Sequence, residues 1–398
     1  MNKYKVIVLI ILVFSGIVAC EKLVPGRPPA NEILDGPVEG LSYEESRRFL
    51  AGDFAFNNEI FTTQTGLGSI FVATSCGSCH AGDGKGHPFT TLTRFGQTDS
   101  TGNKFMHLGG PQLQNRALPG YTPEQIPAGA TFSKFTPPAN TGLGFIELVP
   151  DADILAMADP GDADGDGISG VPNWNTLPPF ISPGINAISR NGKYIHRFGK
   201  KAAAFNLLHQ TVNAYNQDIG ITSSFERRDV YSGLEIDPEV SDLTVHNVVF
   251  YLQTLKAPVP RNQNDPEVIS GKNLFTQSGC EKCHKETLTT GYSPLPSLSF
   301  KTFHPFTDLL LHDMGPDLND GYTEGSAKPQ EWRTPLLWGL GLSPNSQGGE
   351  YFLMHDGRAK SIEEAIQLHS GEANTSKNNF NLLQSTEKNM VIKFLKSL

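Results

Sequence analysis

The sequence is poor in basic charge. Its 398 residues contain 32 Lys and Arg against 41 Asp and Glu, which gives a formal net charge of −9 at pH 7. Nucleic acids bind to basic protein faces, so this balance argues against a nucleic-acid partner. Hydrophobic residues make up 38% of the chain and charged residues 18%, which is ordinary for a globular protein and excludes a chain that is mostly membrane-embedded.

Cysteine is also scarce, and its five copies fall into a pattern. Cys20 stands alone, and the other four form two C-x-x-C pairs, Cys76 with Cys79 and Cys280 with Cys283. Once these are assigned, no cysteine remains for a structural disulfide. In an exported protein, this shortage indicates another covalent use for the paired cysteines.

One long uncharged run lies near the N-terminus, over residues 6–19. It follows Lys3 and Lys5, and it has the length of a signal-peptide core rather than of a membrane span. It ends in I-V-A-C and resembles a bacterial lipobox, in which Cys20 becomes the lipid-modified first residue. The alternative is a plain secretory signal that is cut elsewhere.

We therefore predict a lipoprotein signal peptide over 1–19 and a Pro- and Gly-rich tether over 20–40. The lipid would be the only contact with the membrane. It would hold the protein on the periplasmic side of a bacterial membrane. Glu21 stands where an Asp would favour retention at the inner membrane, so we expect the outer membrane.

Each cysteine pair is followed at once by histidine, which gives C-x-x-C-H at 76–80 and at 280–284. This spacing lets both thiols add to the vinyl groups of a haem, while His80 or His284 becomes a ligand of the iron. The alternatives are a redox-active dithiol, which usually sits in a βαβ context, and half of a zinc site, which needs four ligands close together. Two copies in an exported chain predict two haems of the c type.

The two halves of the chain look like a divergent duplication. T-P-P-A-N-T-G-L-G-F (136–145) begins 56 residues after His80, and T-P-L-L-W-G-L-G-L (334–342) begins 50 residues after His284. The same order at near-equal spacing indicates two related halves.

Helices are predicted ahead of each haem motif and at the end of the chain. The capping box Ser42-x-x-Glu45 begins one, and apolar spacing predicts others over 266–275 and 387–398. Helix, haem motif, long loops and closing helix make the plan of cytochrome c. We therefore expect a mainly α-helical protein with two cytochrome c-like haem domains, 41–260 and 261–398, whose haems face a shared interface.

The segment 361–369 bears on the sixth ligand of the second iron. Ser361 and Glu364 form a capping box, and apolar residues at 362, 365 and 366 place His369 on the same buried face. A buried imidazole needs a partner, which is either an iron or a backbone carbonyl. Met354 is a rival sixth ligand, or a methionine that packs in the interior.

From about residue 40 to its end, the chain resembles the bacterial di-haem oxidoreductases, a branch of the superfamily of di-haem cytochrome c peroxidases and MauG. Besides S-C-G-S-C-H (75–80), the resemblance rests on L-Q-N-R-A-L-P-G (113–120), G-L-G-F-I-E (142–147), D-A-D-G-D-G-I-S-G-V-P-N-W (162–174), D-I-G-I-T (218–222), L-H-D-M-G-P (311–316), W-R-T-P-L-L-W-G-L-G-L (332–342) and M-H-D-G-R-A (354–359). In the superfamily, the helix after H-D-G carries the distal ligand of the C-terminal haem. The matching position here is His369, so the resemblance implies bis-histidine ligation through His284 and His369.

The resemblance also implies peroxide chemistry at the N-terminal haem. In peroxidase relatives a distal glutamate acts on bound peroxide, because O–O cleavage needs a group that moves a proton between the two oxygens. The matching residue is Glu147, and a surface glutamate is the alternative. His87 or His107 could instead ligate this iron and close it. Lys200 stands where relatives usually have Trp.

The stretch 162–170 reads as a calcium loop. Asp162, Asp164 and Asp166 take the positions of alternating oxygen ligands, and Ile168 would offer its carbonyl. Asn173 stands where an EF-hand has Glu, so the motif is not a full EF-hand. Peroxidases of the superfamily hold calcium near the haem–haem interface, which supports a structural ion here. A solvated acidic turn is the alternative.

The motifs predict an exported di-haem protein, and the resemblance implies that it reduces hydrogen peroxide or another small oxidant at its N-terminal haem. Arg358 suits a haem propionate, because its guanidinium pairs with carboxylates, although a structural turn is equally compatible. A small c-type cytochrome or a cupredoxin would supply electrons through the bis-histidine haem. The alternatives are a pure electron-transfer cytochrome and, by analogy with MauG, oxidation of a partner protein or a thiol.

Overall fold

The structure, a computed structural model, describes residues 29–32 and 34–398. The predicted signal peptide, Cys20 and most of the tether lie outside the described residues. The chain divides into two compact units, Met1–Ile33 and Leu34–Leu398, and both haem motifs belong to the second. No helix in the described ranges is both long and apolar enough to span a bilayer.

The helices of the second unit include the three that the sequence predicts. In chain order they are α1 (Tyr43–Asn57), α2 (Leu143–Glu147), α3 (Asp151–Met157), α4 (Leu207–Asp218), α5 (Asp242–Thr254), α6 (Pro266–Gln277), α7 (Ser343–Ser346), α8 (Ile362–Gln367), α9 (Asn374–Leu382) and α10 (Ser385–Ser397). The predicted capping box of Ser42 and Glu45 begins α1, with both of its hydrogen bonds formed. The helices α1, α6 and α10 confirm the predicted ones.

The strands are short and antiparallel. They are β1 (Ile70–Phe71), β2 (Leu92–Phe95), β3 (Arg116–Ala117), β4 (Phe132–Phe135), β5 (Asn173–Asn175), β6 (Ser189–Arg190), β7 (Lys193–His196), β8 (Leu288–Thr289), β9 (Thr302–Phe303), β10 (Leu311–Asp313) and β11 (Glu331–Arg333). They pair as β1–β3, β2–β4, β5–β7–β6, β8–β9 and β10–β11.

The predicted fold class, mainly α-helical with two cytochrome c-like domains, is wrong. Only 32% of the chain is helical and 12% is strand, so the fold is mixed, with small sheets and long loops. The 40 Gly and 28 Pro explain much of this, because both residues interrupt helices. In β4, for example, exposed and buried residues alternate, which is the period of a strand. The boundary between residues 260 and 261 stays a prediction.

The two halves nevertheless share one packing arrangement. The helix before the first haem motif, α1, crosses α5 at Gly52, where a Cβ would collide with the carbonyl oxygen of Asn247. The helix before the second motif, α6, crosses α10 at Gly271, where a Cβ would collide with the carbonyl oxygen of Met390. In each half, glycine allows the helix of the haem motif to pack closely on the last helix of that half.

The repeated G-L-G sequences contact the same two closing helices. A Cβ on Gly144 would collide with the carbonyl oxygen of Gln253 in α5, and one on Gly341 would collide with that of Lys396 in α10. The two haem motifs pack against different buried apolar clusters, although the first cluster also includes Leu288, Phe303, Leu309, Leu310 and Trp338 of the second half. Cys76 packs against the cluster that contains residues of α1, α4 and α5, and Cys280 packs against the one that contains residues of α6 and α10.

Candidate functional site

A cavity of about 440 Å³ runs through the second unit and reaches both haem motifs. Its wall includes Cys76 and His80 of the first motif and Cys280, Cys283 and His284 of the second. Much of the remaining wall comes from the repeated stretches, over residues 135–143 and 332–340. The two motifs, 200 residues apart in sequence, therefore share one largely apolar space.

His80 and His284 are held in the same way. The Nδ1 atom of His80 lies 2.9 Å from the carbonyl oxygen of Pro138, and that of His284 lies 3.0 Å from the carbonyl oxygen of Phe306. Such a bond selects the tautomer in which Nε2 carries a free lone pair for a metal. Burial lowers the pKa of both imidazoles to about 4. They are therefore neutral at pH 7, as ligands of an iron must be.

His369 faces the same cavity. Its Nδ1 lies 2.7 Å from the carbonyl oxygen of Ala365, and burial lowers its pKa. It lies close enough to His284 to contribute, after burial, to the lowered pKa of that residue. The helix α8 ends at Gln367, before His369, yet the predicted face is correct, because residues 362, 365 and 366 also line the cavity.

Burial keeps Cys76, Cys79 and Cys280 as thiols rather than as thiolates. All four are free in the structure. Burial raises the pKa of Cys76 and Cys280 to about 12 and that of Cys79 to about 11. A redox-active dithiol needs a lowered pKa, and a zinc ligand must lose its proton. The raised pKa values of these three thiols do not favour a redox-active dithiol or a zinc site, and covalent attachment of haem stays a prediction.

Glu147 lies at the end of α2, away from the cavity wall. Its Oε1 accepts a hydrogen bond from the backbone N–H of Leu207 at 2.8 Å, and its Oε2 accepts one from Gln253 Nε2 at 2.7 Å. Burial raises its pKa. These contacts join α2 to α4 and α5. The predicted catalytic role stays a prediction, and both carboxylate oxygens already have partners.

A charged pair that the sequence analysis missed does line the cavity. Arg94 Nε lies 2.5 Å from Glu324 Oε1, and Arg94 Nη1 donates to Gln217 Oε1 at 3.2 Å. Asp218, which follows Gln217, raises the pKa of Cys76 through its charge, in addition to burial. The Arg94–Glu324 pair therefore lies on the side of the cavity that contains the first motif. No local pattern marks it, because the two residues lie far apart in sequence.

The other histidines considered for the first iron lie elsewhere. His87 accepts a hydrogen bond from the backbone N–H of Phe89 at 3.2 Å and packs against Phe352, and His107 is exposed. Neither lines the cavity. Met354, the rival to His369 as sixth ligand of the second iron, does line the cavity and stays a candidate.

Arg358 bonds to protein groups in this structure. Its Nε donates to Asp356 Oδ2 at 2.8 Å, and its Nη1 donates to the carbonyl oxygen of Asp317 at 3.2 Å. Arg358 is not part of the cavity wall. Its predicted contact with a haem propionate stays a prediction.

The acidic turn gathers some of the predicted calcium ligands. Carboxylate oxygens of Asp159, Asp162 and Asp164 lie within 4.8 Å of one another, and Asp159 was missed in the sequence. Asp166 instead pairs with Lys282 at 3.0 Å and accepts a hydrogen bond from the backbone N–H of Ile168 at 2.9 Å. The calcium site stays a prediction.

Comparison with known proteins supplies the family. A family model described as "di-haem oxidoreductase, putative peroxidase" matches residues 134–398. No curated protein matches the chain. Among solved structures, hydrazine synthase of Kuenenia stuttgartiensis under 20 bar xenon and a MauG-like protein associated with microbial copper homeostasis each align at 14% identity and a TM-score of 0.41. These alignments cover 94% of this chain and 95% and 92% of the other two chains, respectively.

The family match spans more than half of the chain and includes the second haem motif, the L-H-D-M-G-P and W-R-T-P-L-L-W stretches and His369. It confirms the resemblance that these motifs indicate and implies haem as the cofactor. This chain belongs to the di-haem oxidoreductase family.

Proposed function

We propose that this protein reduces hydrogen peroxide at a haem carried by its first C-x-x-C-H motif. A second haem, held by the second motif with His284 and His369 as its two axial ligands, relays the electrons. Hydrogen peroxide takes up two electrons and two protons and yields two water molecules. The electrons come from a small c-type cytochrome or a cupredoxin.

This proposal rests on the unequal distribution of histidines along the cavity wall. Beside the second motif, His284 and His369 both face the cavity with Nδ1 bonded to a backbone carbonyl. Beside the first motif, His80 has this arrangement. His312 and His355 also line the cavity, but each is hydrogen-bonded to carboxylates. One iron would thus be closed on both sides, and the other would be open to a small oxidant.

When bound, haem supplies the iron at which the oxidant is reduced and the path for electrons. The protein supplies the proton transfer. Glu324 moves a proton from one peroxide oxygen to the other, and Arg94 orients its carboxylate and stabilises the negative charge that develops. Glu324 takes this part rather than Glu147, because it lines the cavity and Glu147 does not.

We also propose a lipid anchor at Cys20 on the periplasmic side of the bacterial outer membrane. The support is the lipobox-like end of the uncharged run. A soluble electron donor could reach the protein there.

A structural calcium at Asp159, Asp162 and Asp164 would stiffen the acidic turn, and the support is the spacing of those carboxylates.

A pure electron-transfer function is the second candidate. The contacts of Glu147 favour this function. The matching residue acts on peroxide in relatives, whereas here both carboxylate oxygens of Glu147 accept hydrogen bonds from Leu207 and Gln253. Oxidation of a partner protein or a thiol is a third candidate, by analogy with MauG alone.

Absorption and electron paramagnetic resonance spectra of the oxidised protein test the proposal. We expect one high-spin haem that reacts with peroxide and one low-spin haem. Glu324→Gln should lower peroxide turnover about 100-fold or more, the range for loss of a general acid–base group. Glu147→Gln is the matched control and should retain turnover. Two unreactive low-spin haems would reject peroxide reduction, and the reverse result for the two variants would return the proton transfer to Glu147.

A further inference from the structure

Two lysines line the cavity without a partner for their charge. Neither the ammonium group of Lys85 nor that of Lys200 makes a hydrogen bond or an ion pair with the described residues. Burial lowers the pKa of Lys85 to about 8 and that of Lys200 to about 7, and repulsion from Lys85 adds to the effect on Lys200. Two cations close together in the wall of an apolar cavity are unfavourable unless an anion lies between or beside them.

A third cation lies at the same place. The side chain of Arg333 donates to the carbonyl oxygens of Gly199 at 3.0 Å and of Thr334 at 2.9 Å, and no carboxylate in the described residues forms an ion pair with it. The charge of Asp356 acts on Lys200, but its carboxylate is bonded to Arg358. The protein therefore leaves a local excess of positive charge in the wall of an apolar cavity.

The position of the lysines indicates which anion the site takes. Lys85 follows His80 by five residues, and the charge of Lys200 acts on the His80 imidazole. A haem held by this histidine would bring its two propionate carboxylates with it.

We propose that Lys85 and Lys200 form a carboxylate-binding site whose occupants are the propionates of the haem at the first motif. The inference requires haem in the cavity, which family membership implies, and it does not depend on peroxide reduction.

The test is redox titration of the intact di-haem protein, followed by absorption spectroscopy at several pH values. Lys85→Met and Lys200→Met should each lower the midpoint potential of the first haem, because a nearby positive charge favours the reduced state. The pH at which its potential responds to propionate protonation should rise. The double variant should show the larger change.

Lys134→Met removes an exposed lysine and is the control that should leave the titration unchanged. Mass spectrometry should find two haems on every variant.

Lys200→Trp, which supplies the residue usual in relatives without a charge, provides a second variant if Lys200→Met does not incorporate haem. It should show the same fall in potential. Unchanged potentials in the single and double variants would overturn the proposal. A change of the first haem from low spin to high spin on loss of Lys200 would overturn it too, since Lys200 would then be an iron ligand. Added acetate that shifts the spectrum of the wild type but not of Lys200→Met would show a site for anions from solution and would overturn the assignment to propionates.

Discussion

The ammonium group of Lys282 lies 3.0 Å from Asp166 Oδ2, and this ion pair joins the acidic turn to the second haem motif. Lys282 stands between Cys280 and Cys283, so the turn and the second C-x-x-C-H motif are in direct contact. Hydrogen bonds add a second link between these regions, because Ser169 donates to Glu372, three residues after His369. Substitutions in the acidic turn should therefore alter the surroundings of the second haem.

Calcium should stabilise the protein through this turn. A calcium concentration about 100-fold above the dissociation constant would add about 2.7 kcal/mol to the free energy of unfolding. Thermal unfolding with calcium and with EDTA measures this. Asp162→Asn should abolish the difference, whereas Asp166→Asn should retain it, since Asp166 pairs with Lys282. Identical curves with calcium and with EDTA would show a solvated turn instead.

The buried ion pair of Arg197 and Asp151 should be important for stability. The Arg197 guanidinium also donates to the carbonyl oxygen of Val149 at 2.6 Å, and both side chains are almost fully buried. Arg197→Met leaves a buried carboxylate without its partner, which costs about 3–5 kcal/mol. Urea unfolding measures the loss. The exposed pair of Arg227 and Asp237 provides the control, and Arg227→Met should leave the midpoint unchanged.

His312 should make stability depend on pH. Burial opposes its charge, but hydrogen bonds with Asp308, Cys283 and Glu372 outweigh burial and raise its pKa well above 6.5. A raised pKa means that the folded state holds the proton more tightly than the unfolded state. The stabilisation is thus complete below pH 6.5 and is lost as the pH rises through the folded-state value.

Unfolding free energies measured between pH 6 and pH 9 should therefore fall for the wild type (the range brackets the ordinary histidine pKa of about 6.5). His312→Gln should be less stable at low pH and should show a flatter profile. An unchanged slope in this variant would mean that another group carries the pH dependence.

His369 should decide the spin state of the second haem. Its removal in His369→Ala leaves His284 as the one protein ligand that we propose for that iron, so a high-spin signal should appear in the oxidised protein. Electron paramagnetic resonance detects it. His87→Ala is the control, because His87 does not line the cavity. If Met354 were the ligand, Met354→Ala would produce the high-spin signal and His369→Ala would not.

The two helix-crossing glycines should be equally intolerant of a side chain. Gly52→Ala and Gly271→Ala each place a Cβ against a backbone carbonyl, and overpacking of this kind costs about 1–3 kcal/mol. Gly161→Ala meets nothing within 4 Å and is the control. Denaturant unfolding that tolerates Gly271→Ala as well as Gly161→Ala would contradict the shared packing of the two halves.

Several features could be predicted because their physics is local. Thioether attachment needs two cysteines and a histidine within five consecutive residues, so both haem motifs can be read from their spacing. The helices α1, α6 and α10 follow from capping and apolar periodicity. The prediction of a mainly α-helical fold was wrong because it applied the helical plan of the motif-flanking segments to the Gly- and Pro-rich interior. Short antiparallel strands form there instead.

The sequence alone determined where the two C-x-x-C-H motifs lie and which family the chain resembles, since both depend on neighbouring residues. Only the tertiary structure decided which charged groups meet in the cavity. Arg94 joins Glu324, and Lys85 comes close to Lys200, only when distant segments pack together. Glu147 is kept from the cavity by its contacts with two other helices. The physical reason is that burial and charge pairing depend on neighbours in space, whereas spacing and capping depend on neighbours along the chain.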